Sequence, residues 1–391
     1  MAISNYKEAH SKACSTLRRA VTPHGILALV TEEITENYNR VWSRDSIMAG
    51  YAGLLANDAV VIAGLKSSLN TLRNNQSAIG IIPSNVALTD PGKVSYGGTA
   101  GRVDATLWYI IGVLIYVKHT GDQDLLASHK PNLDKAMHIA QAWELNGKHL
   151  IYTPLSGNWA DEYPLHGYTL YDNCLRLWGL RLATEILDEN HNQKALDVEQ
   201  TIKQNFFLYS AEDKKYHANL YNRTREKLGD LLYPVAGFNP SQYYAIFDCG
   251  GTGLALMLDL FNESQVVSLT EYLSSLFTEL GGRSLVPAFW PVIDKDHPLW
   301  QDIEMNYAYD FKNYPHHFHN GGIWPIMMGW LCKGLRKVDS NSMADLITEA
   351  YINVCHSENY SFSEYIRSDN FEPHGKAPLC YSAAGLILMN S

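Results

Sequence analysis

Two kinds of helical segment alternate along this chain, and that alternation limits the folds open to it. Apolar residues recur at helical spacing over 5–20, 44–57, 59–73, 102–119, 127–145, 169–190, 194–208, 240–260, 264–279, 320–335, 341–356 and 378–390. Segments 44–57, 102–119 and 240–260 are apolar nearly all round, whereas 127–145, 194–208 and 264–279 keep one polar face. A helix that is apolar on every side is buried, and a one-sided helix lies outside it. Inner and outer helices joined alternately as hairpins describe a double ring. The expected fold is all-α, an (α/α)6 toroid or six-hairpin barrel, with 5–20 completing the outer ring beside the last helix. Asp122 and Asp124 ahead of 127–145, Asn239-Pro240 ahead of 240–260 and Ser264 ahead of 264–279 are the expected helix starts. No Gly/Ser-rich, Pro-rich or like-charged stretch divides the 391 residues, so one domain over 1–391 is expected.

The formal net charge of −10 repels phosphate backbones and argues against a nucleic-acid partner. The polar N-terminus MAISNYKEAHSKACSTLRRA lacks the apolar region of a secretory signal, and no stretch approaches the ~20 apolar residues of a membrane helix. The six cysteines are scattered without C-x-x-C spacing, which suits reduced thiols in a cytoplasmic protein. Nothing in the sequence excludes homo-oligomerisation.

Five long segments without helical pattern, 74–101, 146–168, 209–239, 280–319 and 357–377, each join an outer helix to the next inner one. In a toroid such connections emerge on one face, where long loops are usually functional. Segment 209–239 reads better as surface padding. The 24 Tyr and 9 Trp suit a sugar cleft as well as a core, because the C–H faces of a pyranose rest on aromatic rings. Glycosidic hydrolysis needs a proton for the leaving oxygen and a base for the attacking water, and two carboxylates supply both. Asp161 lies in SGNWADEYPLHG (156–167), where Trp159 is an apolar neighbour of the kind that keeps a carboxyl protonated. Glu364 lies between aromatics in the last long loop, a setting for a general base. Each also fits an ordinary loop carboxylate.

Three further clusters open inner helices. Arg44 and Asp45 follow Trp42, and Arg102 and Asp104 precede Trp108. Either Arg/Asp pair can bind vicinal hydroxyls or form a structural salt bridge. The third, HHFHNGGIWP (316–325), gathers His316, His317 and His319 without an H-E-x-x-H or cysteine partner, so no metal is expected. No cofactor is expected either.

Together these motifs resemble the alkaline/neutral invertase family of glycoside hydrolases and, more distantly, the glucosidase domain of glycogen debranching enzymes. YNRVWSRD (38–45) is similar to the invertases' Y-N-x-V-x-x-R-D, VDATLW (103–108) to V-D-x-x-L-W, HNGGIWP (319–325) to H-N-G-G-S-W-P, and SEYIRSDNFEPHGKAPLCYSAAGLIL (363–388) to E-Y-Y-D-G, G-K-x-A and x-A-G-Y-L. The resemblance covers roughly 36–390. It implies a six-hairpin catalytic domain that inverts configuration, with Asp161 in the place of the general acid and Glu364 in that of the general base. It also implies that Arg44, Asp45, Asp104, Trp108, His319 and Asn320 line a saccharide pocket. Tyr38, Trp42, Trp159, His166, Trp324 and Lys376, in or beside the same segments, complete the candidate pocket.

The chain departs from the family at the acid. Trp159-Ala160-Asp161 is closer to the debranching enzymes' W-M-D than to the invertases' M-I-D-R-R-M-G, and Glu162 next door is a rival donor. Sucrose or another small α-glucoside is the leading substrate class, followed by a short α-glucan end or a glucosyl solute. A sugar epimerase or isomerase on the same barrel, working through His316, His317 and His319, is the alternative of another class. A binding scaffold without turnover is the third.

Overall fold

The computed structural model describes residues 2–30, 39–88, 93–208 and 215–391. Its helices, in chain order, are α1 (Ala2–Arg19), α2 (Ser43–Leu55), α3 (Ala59–Asn74), α4 (Val103–Thr120), α5 (Gln123–Ala142), α6 (Leu170–Ile186), α7 (Asn192–Asn205), α8 (Ala218–Leu228), α9 (Cys249–Met257), α10 (Glu263–Glu279), α11 (Trp300–Met305), α12 (Pro325–Lys337), α13 (Asn341–Ser357) and α14 (Cys380–Met389). Six of them close a ring by pairwise packing: α2 on α4, α4 on α6, α6 on α9, α9 on α12, α12 on α14, and α14 back on α2. They include all three segments that the sequence shows as apolar nearly all round. In α4 the fifteen residues Val103–Val117 are all buried. The outer helices lean on them, α3 on α2, α5 on α4, α7 on α6, α13 on α12, and α1 on α14. The expected (α/α)6 toroid is therefore the observed fold.

Large side chains fill the centre of the ring. Tyr51 of α2, Trp108 of α4, Trp178 of α6 and Trp330 of α12 meet with ring centres 5.6–6.0 Å apart. Such edge-on and stacked contacts are the arrangements that aromatic pairs prefer.

Caps set several helix starts. The Asp122 carboxylate accepts the Leu125 N–H at α5, as expected, and Asp58 accepts from Val60 and Val61 at α3. At α10 the cap is Asn262, closed into a capping box by Gln265, rather than Ser264 two residues later.

Short strands interrupt the helical picture where the chain enters the ring. They are β1 (Val21–Thr22), β2 (Gly25–Ile26), β3 (Arg40–Trp42), β4 (Asn85–Ala87), β5 (Val94–Ser95), β6 (Tyr168–Thr169), β7 (Val235–Phe238), β8 (Tyr243–Asp248), β9 (Phe289–Trp290), β10 (Tyr365–Ile366) and β11 (Pro373–His374). All pairings are antiparallel: β1 with β2, β3-β4-β5, β6-β7-β8-β9, and β10 with β11. Strands β3, β6 and β8 run straight into α2, α6 and α9.

The expected helix over 240–260 is thereby corrected. Its first third, Tyr243–Asp248, is strand, because the aromatic and β-branched run YYAIF suits a pleated surface. The helix begins only after Asp248, whose carboxylate accepts the Gly251 N–H. Asn239, expected as the cap, instead closes the β7–β8 turn by accepting from Ser241 and Gln242. Gly253 of α9 lies so close to Trp330 and Leu331 that a Cβ there would collide with the α12 backbone. The helix expected over 320–335 starts at Pro325, a favoured first helical position, and Ile323 before it is extended and bridged to Ile366. The segments read as loops at 209–239 and 280–319 contain α8 with β7 and β9 with α11.

Backbone hydrogen bonds join the entrances of the inner helices. Val103 donates to Gly157, Cys249 to Ala288, Ala288 to Gly322, Ile323 to Ile366, and Leu379 to Phe362. These links gather the loops between outer and inner helices at the N-terminal ends of the inner ring.

Candidate active site

Four inner helices carry an aspartate at or before their first turn: Asp45 in α2, Asp104 in α4, Asp172 in α6 and Asp248 ahead of α9. Helix N-termini favour negative charge, so one element of the fold recurs around the ring. What surrounds each aspartate differs.

Between α2 and α4, Arg44 sits 3.2 Å from Asp104 and 3.5 Å from Asp45; both carboxylates are buried and Arg44 is half-buried. Burial works against the Arg44 charge, but the two carboxylates outweigh it and hold the guanidinium firmly cationic. One cation serves two buried carboxylates, and burial pushes both Asp45 and Asp104 above the usual carboxylate range. Asp104 also feels Arg102 and Asp161.

Arg102, just ahead of α4, clips the 156–161 loop onto the ring. Its guanidinium donates to the Ser156 carbonyl and, at 2.6 Å, to Asp161 Oδ2. The Arg102 side chain is half-buried, while that of Asp161 is 37% exposed. The Asp161 carboxyl thus reaches solvent on a rigid mount. Trp159, expected to shield it, is buried elsewhere: stacked on Phe289 and edge-on to His319 and Trp324. Glu162 is the neighbour with a raised pKa, through burial first and the Asp161 charge second. Its Oε2 is buried with no hydrogen-bond partner, and its Oε1 lies 3.5 Å from the Ala308 N–H.

Glu364 precedes β10. Its N–H donates to the Lys376 carbonyl at 2.9 Å, and its Oε2 accepts the Lys376 N–H at 3.1 Å. Gly375 has φ +82°, and a Cβ there would collide with the Glu364 carboxylate, so only glycine allows this approach. Lys376, expected to contact substrate, meets Glu364 through its backbone, and its side chain is exposed. Tyr381, in the first turn of α14, links the two carboxylate loops. Its hydroxyl feels Arg44, Asp45, Asp104 and Glu364, while burial holds it neutral. The charge of Asp161 acts on Asp104 and that of Glu364 acts on Tyr381, although the two carboxylates lie about two hundred residues apart in the chain.

The remaining expected pocket residues separate into two groups. His319 is buried between Trp324 and the Trp159 edge, its Nδ1 has no partner, and burial pushes its pKa down to about 3, with Asp161 opposing and Arg44, Lys312 and Arg102 assisting. Trp324 stacks on Tyr365 and donates to the Phe318 carbonyl. Trp42 is half-buried on β3. His166 contacts Tyr244 and Asn239 beside the β7–β8 turn. The second group is structural. Trp108, one helical turn deeper than Asp104, donates to the Tyr171 hydroxyl at 2.9 Å in the aromatic centre of the ring. The Asn320 amide is committed to Ile293 on both sides and to the Asn313 carbonyl. Tyr38 lies outside the described residues.

The three histidines do not converge. His316 bonds Ser368, His317 contacts His374, and His319 is buried against Trp324. Among the described residues no three His, Cys, Asp or Glu side chains could hold a metal ion. Sequence reasoning missed Tyr381 and Lys312, and it did not single out Arg102 as the mount of Asp161. It also missed Asp172 and Asp248, whose aspartate-before-inner-helix pattern could have been read by aligning the helix starts.

The model of the alkaline and neutral invertase family matches residues 226–388. An alkaline/neutral invertase of Arabidopsis thaliana is 22% identical over 428 residues, covering 92% of this chain and 75% of its own length. A mitochondrial alkaline/neutral invertase of the same plant is 24% identical, covering 82% of this chain and 57% of its own. Cytosolic invertase 1 of Oryza sativa subsp. japonica is 22% identical, over 82% and 66%. Among solved structures, a GH63 mannosylglycerate hydrolase from Thermus thermophilus in complex with glucose superposes with a TM-score of 0.68 at 11% identity, covering 98% of this chain and 100% of its own. A bacterial glucoamylase complexed with acarbose gives 0.62 at 12%, over 99% and 56%. The resemblance drawn from the motifs, and the six-hairpin fold, are borne out.

Proposed function

We propose that this chain, a glycoside hydrolase similar to the alkaline/neutral invertases, releases the terminal sugar of sucrose or another small α-glucoside with inversion at the anomeric carbon. In this reading Asp161 protonates the glycosidic oxygen and Glu364 takes the proton of a water on the opposite face of the ring. Inverting pairs stand roughly 6.5–9.5 Å apart, leaving room for that water. The observation that carries the reading is the meeting of both carboxylate loops at the Arg44–Asp104–Tyr381 cluster. Arg44, Asp45 and Asp104 supply fixed charges that orient hydroxyls, half-buried Trp42 supplies an apolar face, and His319 stays neutral. A single catalytic domain is supported by the ring closing between α14 and α2. A cytoplasmic setting is supported by six cysteines that are all free and buried.

One observation favours a second donor. The Glu162 carboxyl has a raised pKa, as a general acid requires, and its Oε2 has no partner. The two are separated by measuring Asp161→Asn, Glu162→Gln and Glu364→Gln on sucrose and on an aryl α-glucoside whose leaving group needs no proton. The residue acting as acid loses about 10²–10⁴ in rate on sucrose and much less on the aryl glycoside, whereas loss of the base slows both. NMR of the first-formed anomer tests inversion. Near-native turnover of Asp161→Asn and Glu162→Gln, or of Glu364→Gln, would overturn the assignment.

A further inference from the structure

Aromatic side chains form a path that begins in solvent on the 300–317 segment, against the Asp161–Glu162 loop, and runs inward to Tyr365 and Trp324. Tyr307 meets Phe311 with ring centres 5.9 Å apart, Phe311 meets Tyr314 at 4.8 Å, Tyr314 meets His317 at 6.1 Å, and His317 meets His374 at 5.9 Å. His374 then stacks on Tyr365 at 5.9 Å and 27°, and Tyr365 stacks on Trp324. The outer end is open: Tyr307 is 46%, Tyr314 54% and Tyr309 80% exposed. Single exposed apolar residues are ordinary, but a contiguous row of exposed rings marks a binding surface.

The segment is held in place from the other side. Asn306 accepts from the Ser156 hydroxyl at 3.0 Å, and Asn313 donates to the Glu162 carbonyl at 2.7 Å. The charge of Lys312 reaches both Glu162 and His319. One strip of chain therefore touches the Asp161–Glu162 loop along one edge and leads to Tyr365, next to Glu364, along the other.

We propose that this path is a subsite for the leaving-group side of an oligosaccharide, so that the substrate class extends beyond disaccharides. With the terminal sugar in the mouth, the following sugar rings lie over Tyr314, Phe311 and Tyr307. The C–H faces of pyranoses cover the aromatic faces, and the sugar hydroxyls reach the tyrosine hydroxyls and the exposed Asp310 and Lys312. The mixture of rings and charges along the rim, continuous with the mouth, suits a carbohydrate better than the mostly apolar centre of a subunit interface. The inference rests on the hydrolytic reading above.

The test compares two pairs of saccharides that share a terminal α-glucosyl group, sucrose with 1-kestose and maltose with maltopentaose. In the wild-type protein the longer member of the pair that is hydrolysed has the higher kcat/KM, mainly through a KM lower by about tenfold. In the double variant Tyr307→Ala/Tyr314→Ala the two members become equal, while kcat/KM for the shorter one stays within about twofold, since neither residue contacts the proposed acid or base. Tyr314→Trp, which keeps a ring face, restores the preference for length. Equal kcat/KM for short and long members in the wild type, or equal losses on both in the double variant, overturns the proposal. A concentration-dependent sedimentation mass that the double variant abolishes also overturns it, by making the path a contact between copies. If neither pair is hydrolysed at all, it is the hydrolytic reading of small α-glucosides that fails. The path is then judged by calorimetric titration with 1-kestose and maltopentaose: binding lost in the double variant supports it, and absence of binding in the wild type overturns it.

Discussion

The entrance of α2 and α4 and the entrance of α6 and α9 occupy equivalent places in the ring, yet they handle buried carboxylates in opposite ways. At the first, Asp45, Asp104 and Asp161 share two arginines, Arg44 and Arg102. At the second, Asp172 is held by neutral donors alone, Thr153, Asn158 and Thr169, and Asp248 by the Gly251 N–H. Each of the second pair keeps one oxygen without a partner. Burial first, and then a neighbouring aspartate, Asp104 at Asp172 and Asp172 at Asp248, pushes each to a pKa of about 7. Helix N-termini attract carboxylates at both places. At the first entrance the arginines oppose the effect of burial on the carboxylates; at the second no cation does, and burial favours the proton.

Removing the cation at the charged entrance is the strongest way to break this contrast. Arg44→Met leaves Asp45 and Asp104 uncompensated, and chemical denaturation should report a loss of about 3–5 kcal/mol in unfolding free energy. A loss below about 1 kcal/mol would mean that the carboxylates are already neutral. Arg102→Gln acts on placement instead of stability, because Arg102 mounts Asp161. Its kcat/KM should fall about 10²-fold with an unchanged circular dichroism spectrum.

The neutral entrance is probed through pH. For Asp172 and Asp248 the folded pKa of about 7 lies above the ordinary 3.8. Between those values the folded state binds more protons than the unfolded one, so their contribution to stability is greatest below about pH 4 and is lost as pH rises through 7. Asp172→Asn removes one titrating group and should flatten this decline by up to about 1.4 kcal/mol per pH unit. The comparison is read as the difference between variant and wild type over pH 4–8. Parallel curves would show that Asp172 is ionised throughout. Lys376→Met should do least. Lys376 meets Glu364 through its backbone and its side chain is exposed, so kcat/KM stays within about twofold.

The ring itself was legible in the sequence because it rests on hydrophobic periodicity summed over long windows. Segment 103–117 could be nothing but an inner helix. Tyr243–Asp248 was misread because YYAIF is apolar at helical spacing and at strand spacing alike, and only its partners β7 and β9 decide between them. The site was legible as a neighbourhood and not as a set of directions. The motif VDATLW brings Asp104 and Trp108 to one face of α4, but one helical turn separates the charged entrance from the aromatic centre. HNGGIWP places His319 and Asn320 side by side, yet the Asn320 amide turns to Ile293. No spacing rule reveals that Arg102 reaches past its own helix to a carboxylate 59 positions on.

The four rings that meet on the axis, Tyr51, Trp108, Trp178 and Trp330, give the barrel a floor. A tunnel would let a polymer be threaded and cut in succession, with each released unit leaving by the far end. A well with a floor permits no such traffic. Whatever sugar is freed at its bottom can leave only by the way it came in, after the remainder of its own substrate has gone.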